Sequence, residues 1–148
     1  MNLKYTLLLI FSVSILSVKA QYYTGQKVFS NKFPYEKTDY SQDTYLKIDN
    51  SCSGCNDIIV AIENVYTRKV IRHAYINSGD IFDFNYIPVG TYICKYMWTD
   101  RYGRKNYQKD DSSFSYGANQ IGGYIIKLEQ TQFGNLSQSS IDEDEFFD

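Results

Sequence analysis

Residues 58–98 read IIVAIENVYTRKVIRHAYINSGDIFDFNYIPVGTYICKYMW. Val, Ile, Tyr and Phe recur at every second position, and TRK, NSGD and IPVG interrupt the runs. Alternation of period two between turn signals marks short antiparallel strands in a meander with one packed face. The pattern predicts strands over Ile58–Asn64, Val70–Ile76, Ile81–Tyr86 and Thr91–Trp98. Within the first, Ile58, Val60 and Ile62 face one way, and Ile59, Ala61 and Glu63 the other. Pro88 presets φ for its turn, and Gly90 supplies the conformational freedom that closes it.

Working outward, Thr44–Asp49 alternates Leu46 and Ile48 with Lys47 and Asp49 and predicts an earlier strand. A last strand is expected within Ala118–Gln130, around Tyr124, Ile126 and Leu128. Gly122-Gly123 at its start signals a bulge or a close approach of another backbone. Thr99–Ser113 reads as a charged loop. No stretch of ten or more residues has helical apolar spacing. Six or seven strands with short turns predict an all-β chain, a single antiparallel β-sandwich, with a small barrel as the alternative.

The domain organisation follows from composition. Residues 1–20 pair a short basic start with an apolar run, too short to span a bilayer, that ends in small residues. They read as a secretory signal peptide cleaved after Ala20, which makes the protein exported, periplasmic or secreted, with no transmembrane segment in the mature chain. Residues 21–43 are a Tyr-rich, extended lead-in, residues 44–133 the sandwich, and residues 134–148 an acidic tail expected to be disordered apart from Phe146 and Phe147. Asp142, Glu143, Asp144, Glu145 and Asp148 concentrate the acidity there.

The 148 residues carry a net charge of -2 and are 43% hydrophobic and 17% aromatic, with fifteen tyrosines. That is enough apolar area for a core without disulfide staples. Tyrosine suits a half-buried sheet, where the ring packs and the hydroxyl reaches water. A nucleic-acid partner would require a concentrated basic face. Arg101, Arg104, Lys105 and Lys109 come nearest, and Asp110 and Asp111 partly neutralise them, so no nucleic-acid binding is expected.

Candidate chemistry is sparse. Cys52-Ser-Gly-Cys55 is the sharpest motif. In an oxidising compartment, ahead of a strand, it reads as a structural disulfide, with thiol-disulfide exchange as the alternative. Pairing of either cysteine with Cys94 is also open. Cys52, Cys55, His73 and Cys94 are a chemically possible zinc set, but their spacing matches no compact zinc module, so no metal or other cofactor is expected. His73, the only histidine, lacks a recognisable nucleophile partner in the sequence. Asp80 with Asp83, and Asp110 with Asp111, read as solvated carboxylates rather than a glycosidase pair. The tail lacks the spaced acidic pattern of a calcium loop. Asn135-Leu136-Ser137 fits a glycosylation acceptor. No catalytic residue is assigned and no enzyme is expected.

The aromatics remain. Tyr96, Trp98, Tyr102 and Tyr107 run from a strand into the next loop and are the ligand-binding candidates, for stacking on sugars or anchoring a protein, while core packing is the first reading for the strand residues Tyr96 and Trp98.

The run Val70-Ile-Arg-His-Ala-Tyr-Ile76, then Ser78-Gly79, Phe82, Phe84 and Ile87-Pro-Val-Gly-Thr-Tyr92, resembles small exported β-sandwich proteins of Gram-negative bacteria. Gly134-Asn135-Leu136 leading to Asp144-Glu145-Phe146-Phe147 resembles their ending. Met97-Trp98-Thr99-Asp100 departs from their glycine-containing segment. The resemblance spans about residues 50–148 and carries no assigned activity. More distantly, the Pro-x-Gly-Thr-Tyr turn is similar to transthyretin-like and carboxypeptidase-regulatory-like domains. Together these imply a non-catalytic binding or accessory module; the partner expected for the chain is an unknown protein or glycan of the envelope.

Overall fold

The computed structural model describes residues 21–128 and 137–148. The expected signal peptide and the acceptor Asn135 lie outside the described residues. The chain is all-β: two sheets pack face to face, in the order β1 (Asp43–Asp49), β2 (Ile58–Asn64), β3 (Val70–Ile76), β4 (Ile81–Asn85), β5 (Gly90–Thr99), β6 (Lys105–Asp110), β7 (Phe114–Tyr116), β8 (Ile121–Lys127), β9 (Gln138–Ser140) and a short helix α1 (Glu143–Phe147). The smaller sheet runs β4-β1-β8. The larger runs β3-β2-β5-β6-β9, with β7 also pairing β5.

Two features correct the expectation of a six- or seven-stranded antiparallel sandwich. Nine strands form among the described residues, and β1 pairs β8 in parallel. Parallel pairing needs a long crossover, and nearly the whole sandwich lies between these two strands. The Gly122-Gly123 signal holds as a close approach: a side chain at Gly123 would collide with the Tyr45 carbonyl of β1.

Thr99–Ser113 is not a loop throughout. Asp100 accepts hydrogen bonds from the Tyr102 and Arg104 amides at 2.9 and 3.0 Å. This closes a turn that sends β6 back antiparallel to β5. The strand was hidden because Lys105 and Lys109 break the apolar alternation.

Alternation divides β5 cleanly. Tyr92, Cys94 and Tyr96 point between the sheets, where they join Leu46, Ile48, Val60, Ile62, Phe84 and Ile126 in the main core. Met97 points the other way and packs with Ile59, Ala61, Val70, Phe33 and Phe146 in a second core. The larger sheet is therefore covered on both faces, which explains why β2 is buried at six consecutive positions and not at alternate ones.

The cover comes from the lead-in and the tail. The lead-in bonds to the β3 edge: the Gly25 amide donates to the Tyr75 carbonyl, and the Tyr75 amide to the Gln26 carbonyl. The tail, expected to be disordered, supplies β9 and α1 instead. Asp142 caps α1 by accepting from the Glu145 amide at 2.7 Å, and Phe146 is fully buried. Phe29, Phe33, Phe146 and Phe147 interlock with ring centroids 4.9–6.3 Å apart. Glu143 and Glu145 pair with Lys105 and Lys109 of β6. Apolar burial with matched charge orders a segment whose composition alone suggests disorder.

Candidate functional site

At the end of β4 the chain makes an abrupt bend. Tyr86 has φ +61°, a left-handed conformation that costs a non-glycine residue about 1–2 kcal/mol. Three hydrogen bonds hold the bend. The Tyr86 amide donates to the Thr44 carbonyl at 2.7 Å, the Asp39 amide donates to the Tyr86 carbonyl at 2.9 Å, and the Thr44 hydroxyl donates to the Ile87 carbonyl at 2.7 Å. The bend turns the Tyr86 ring outward. It lies 5.2 Å from the Tyr40 ring of the lead-in, at an interplanar angle of 52°. Tyr40 is 81% exposed and Tyr86 41%.

Beside this pair is a polar cleft of ≈ 300 Å³, bounded by the lead-in, β3 and β4. Lys27, Glu36 and Thr38 line one side, and Asp83 and Asn85 of β4 the other. Arg72 of β3 lies between them. Its Nη1 donates to the Asn85 carbonyl at 3.0 Å and reaches the Thr38 hydroxyl at 3.5 Å. Its Nε is buried without a hydrogen-bond partner and meets Glu36 only as an ion pair at 3.4 Å. Glu36 is held more closely by Lys27, at 2.6 Å. Burial pushes the Arg72 guanidinium below its ordinary value.

The four ligand-binding candidates are not brought together. Tyr96 is 1% exposed within the main core, where its hydroxyl donates to Asp110 at 2.8 Å. Trp98 is half-buried against the same core. Tyr107 projects from the opposite face of the sheet and packs on Phe146 at 5.5 Å. Tyr102 alone is well exposed, on the β5–β6 turn, where the guanidiniums of Arg101 and Arg104 lie 4.7 and 5.4 Å from its ring. Strand alternation separates residues that sequence proximity groups. The pair Tyr40 and Tyr86 was missed because 46 positions separate its members. A local signal was nonetheless present in Asn85-Tyr86 just ahead of Pro88, a break in the strand pattern.

Cys52 and Cys55 form a disulfide across the turn before β2. The turn lies at the Asp49 end of β1, away from the cleft, which flanks the Tyr45 end. Neither cysteine sits at a helix N-terminus of the kind that activates a thiol. Cys94 is a buried free thiol facing the main core. His73 projects from the other face of the same sheet, so the four members of the possible zinc set do not converge. Among the described residues no group of metal-ligating side chains assembles. His73 is structural: its Nε2 accepts the Phe29 amide at 3.1 Å, and its ring meets Phe33 edge-on at 5.1 Å. Burial lowers its pKa and favours the neutral form that this acceptor role requires.

Asp110, expected to be solvated, is buried, and accepts from Tyr96 and from the Gln138 side chain at 3.1 Å. Burial raises its pKa to about 6. Asp111 is exposed and held low by the Ser137 and Ser139 hydroxyls. Asp83 pairs with Lys47 at 3.3 Å. No family model matches the chain, and no curated protein matches it.

Proposed function

We propose that this chain is an exported, non-catalytic binding module of the cell envelope or extracellular space, and that it binds through the cleft beside Tyr40 and Tyr86. One observation carries the reading: a non-glycine residue is held in a left-handed conformation by three backbone-directed hydrogen bonds, and the result is an exposed aromatic pair beside a polar recess. Local strain of this kind persists only where its surroundings over-determine it, and it gathers at ligand clamps and functional sites. Exposed rings next to a few convergent polar groups are the usual composition of a recognition surface. The leader-like residues 1–20 and the resemblance of residues 50–148 to small exported proteins support export.

The test is an array of envelope glycans and peptides probed with the wild-type protein and with a Tyr40→Ala/Tyr86→Ala variant. Retention on an array member that the variant loses supports the reading. Equal retention by both proteins, or turnover of an array member by the pure protein, overturns it.

A further inference from the structure

The charge balance of the cleft narrows the ligand. Lys27 and Arg72 share one carboxylate, Glu36. The other carboxylate lining the cleft, Asp83, is matched by Lys47 of the neighbouring strand. Among the described residues one positive charge is therefore left over, and it lies on the Arg72 side. Lys27 holds Glu36 at hydrogen-bond distance, whereas the Nε of Arg72 is buried without a hydrogen-bond partner. The Nε is out of reach of solvent and Nη1 is engaged by the Asn85 carbonyl, so an incoming carboxylate would meet the part of the guanidinium that lines the cleft and balance its surplus charge.

Resting on the reading of the cleft as a binding site, we propose that its ligand is an acidic saccharide, a glycan carrying uronic-acid residues. Its carboxylate meets the Arg72 guanidinium on the side away from the Lys27–Glu36 pair, and a sugar ring packs against the exposed Tyr40 and Tyr86 pair. The lining favours this class over an acidic peptide in two ways. Among the described residues it contains no aliphatic side chain, hence no pocket for an apolar anchor. The carbonyls of Asn85 and Tyr86, at the cleft end of β4, already accept Arg72 and the Asp39 amide, so a strand-like peptide would find both taken. A neutral saccharide would stack on the rings but leave the Arg72 side of the cleft uncompensated.

Trigalacturonate, its methyl ester and tetraglutamate separate the possibilities when titrated into the full chain at low salt, with the tyrosine resonances observed by NMR. Trigalacturonate is expected to shift Tyr40 and Tyr86 and to bind at least about ten-fold more tightly than the methyl ester, which keeps the rings and loses the charge. Lys27→Met should remove most of that preference, and Tyr40→Ala should abolish binding of both sugars. Both substitutions are on exposed or partly exposed side chains, so the variants fold. Equal affinity for the ester, equal or tighter binding of tetraglutamate, or no shift at either tyrosine overturns the acidic-saccharide assignment. If the array still shows a member lost by the Tyr40→Ala/Tyr86→Ala variant, the cleft remains the binding site and only the ligand class is wrong.

Discussion

Lys95 of β5 and Glu63 of β2 form an ion pair with side chains 1% and 0% exposed, beneath the C-terminal helix. The Lys95 ammonium also donates to the Glu145 carbonyl, so the helix backbone closes over the pair. Arg68 reaches Glu63 from the solvent side at 3.1 Å. The tail thus lies over a charge pair that would be poorly satisfied without it.

Removing one partner leaves the other charge buried. Lys95→Met is expected to cost about 3–5 kcal/mol by chemical denaturation. The double variant Lys95→Met/Glu63→Leu should recover most of that loss, because a well-packed apolar pair replaces a buried ion pair at little cost. A Lys95→Met variant as stable as wild type would show that the pair is hydrated in solution.

The tail carries stability despite its acidity. Phe146→Ala should cost about 3–5 kcal/mol, the usual loss for truncating a fully buried phenylalanine. Deleting residues 141–148 should cost at least as much, since it also uncovers Ile59, Ala61 and Met97. Denaturation midpoints unchanged in both proteins would restore the picture of a detached tail.

Asp110 sets a stability trend with pH. Its folded pKa of about 6 lies above its unfolded value near 3.9, so the folded state binds the proton more tightly. Its contribution is fully present below about pH 4 and is lost as pH rises through about 6, a change of about 3 kcal/mol. Asp110→Asn should remove that part of the profile. An unchanged slope between pH 4 and 7 in the variant would place the proton elsewhere.

His73 acts in the opposite sense. Its folded pKa is lowered by burial, so its contribution is present above pH 6.5 and lost as pH falls through the folded value. His73→Gln keeps an acceptor for the Phe29 amide without a titrating group. Its stability should lose less than the wild type's between pH 6.5 and 5, measured by denaturation at each pH.

Tyr86 separates fold from function. Tyr86→Gly removes the left-handed strain and is expected to leave stability unchanged or raised by about 1 kcal/mol, while ligand retention is lost. A variant clearly less stable than wild type would mean that the ring holds the Tyr40 segment in place.

The strands β2 and β3 end where their alternation ends, and Phe84 faces the core as its neighbours imply. The β6 strand was illegible because its charges are satisfied by partners 36 and 38 positions away, in the tail. The cleft was illegible for a related reason. Glu36, Arg72 and Asn85 come from three separate segments, and each looks like an ordinary surface residue until the lead-in folds over β3 and β4.

Residue order by itself determined the strand period, the turn positions and hence an all-β sandwich, because a side chain's face on a strand depends only on its parity. Only the tertiary structure decided that β1 lies parallel to β8, that the lead-in and the tail cover the second face of the larger sheet, and that Tyr40 meets Tyr86. Those outcomes depend on which distant surfaces exclude water from each other, and local alternation holds no record of that choice.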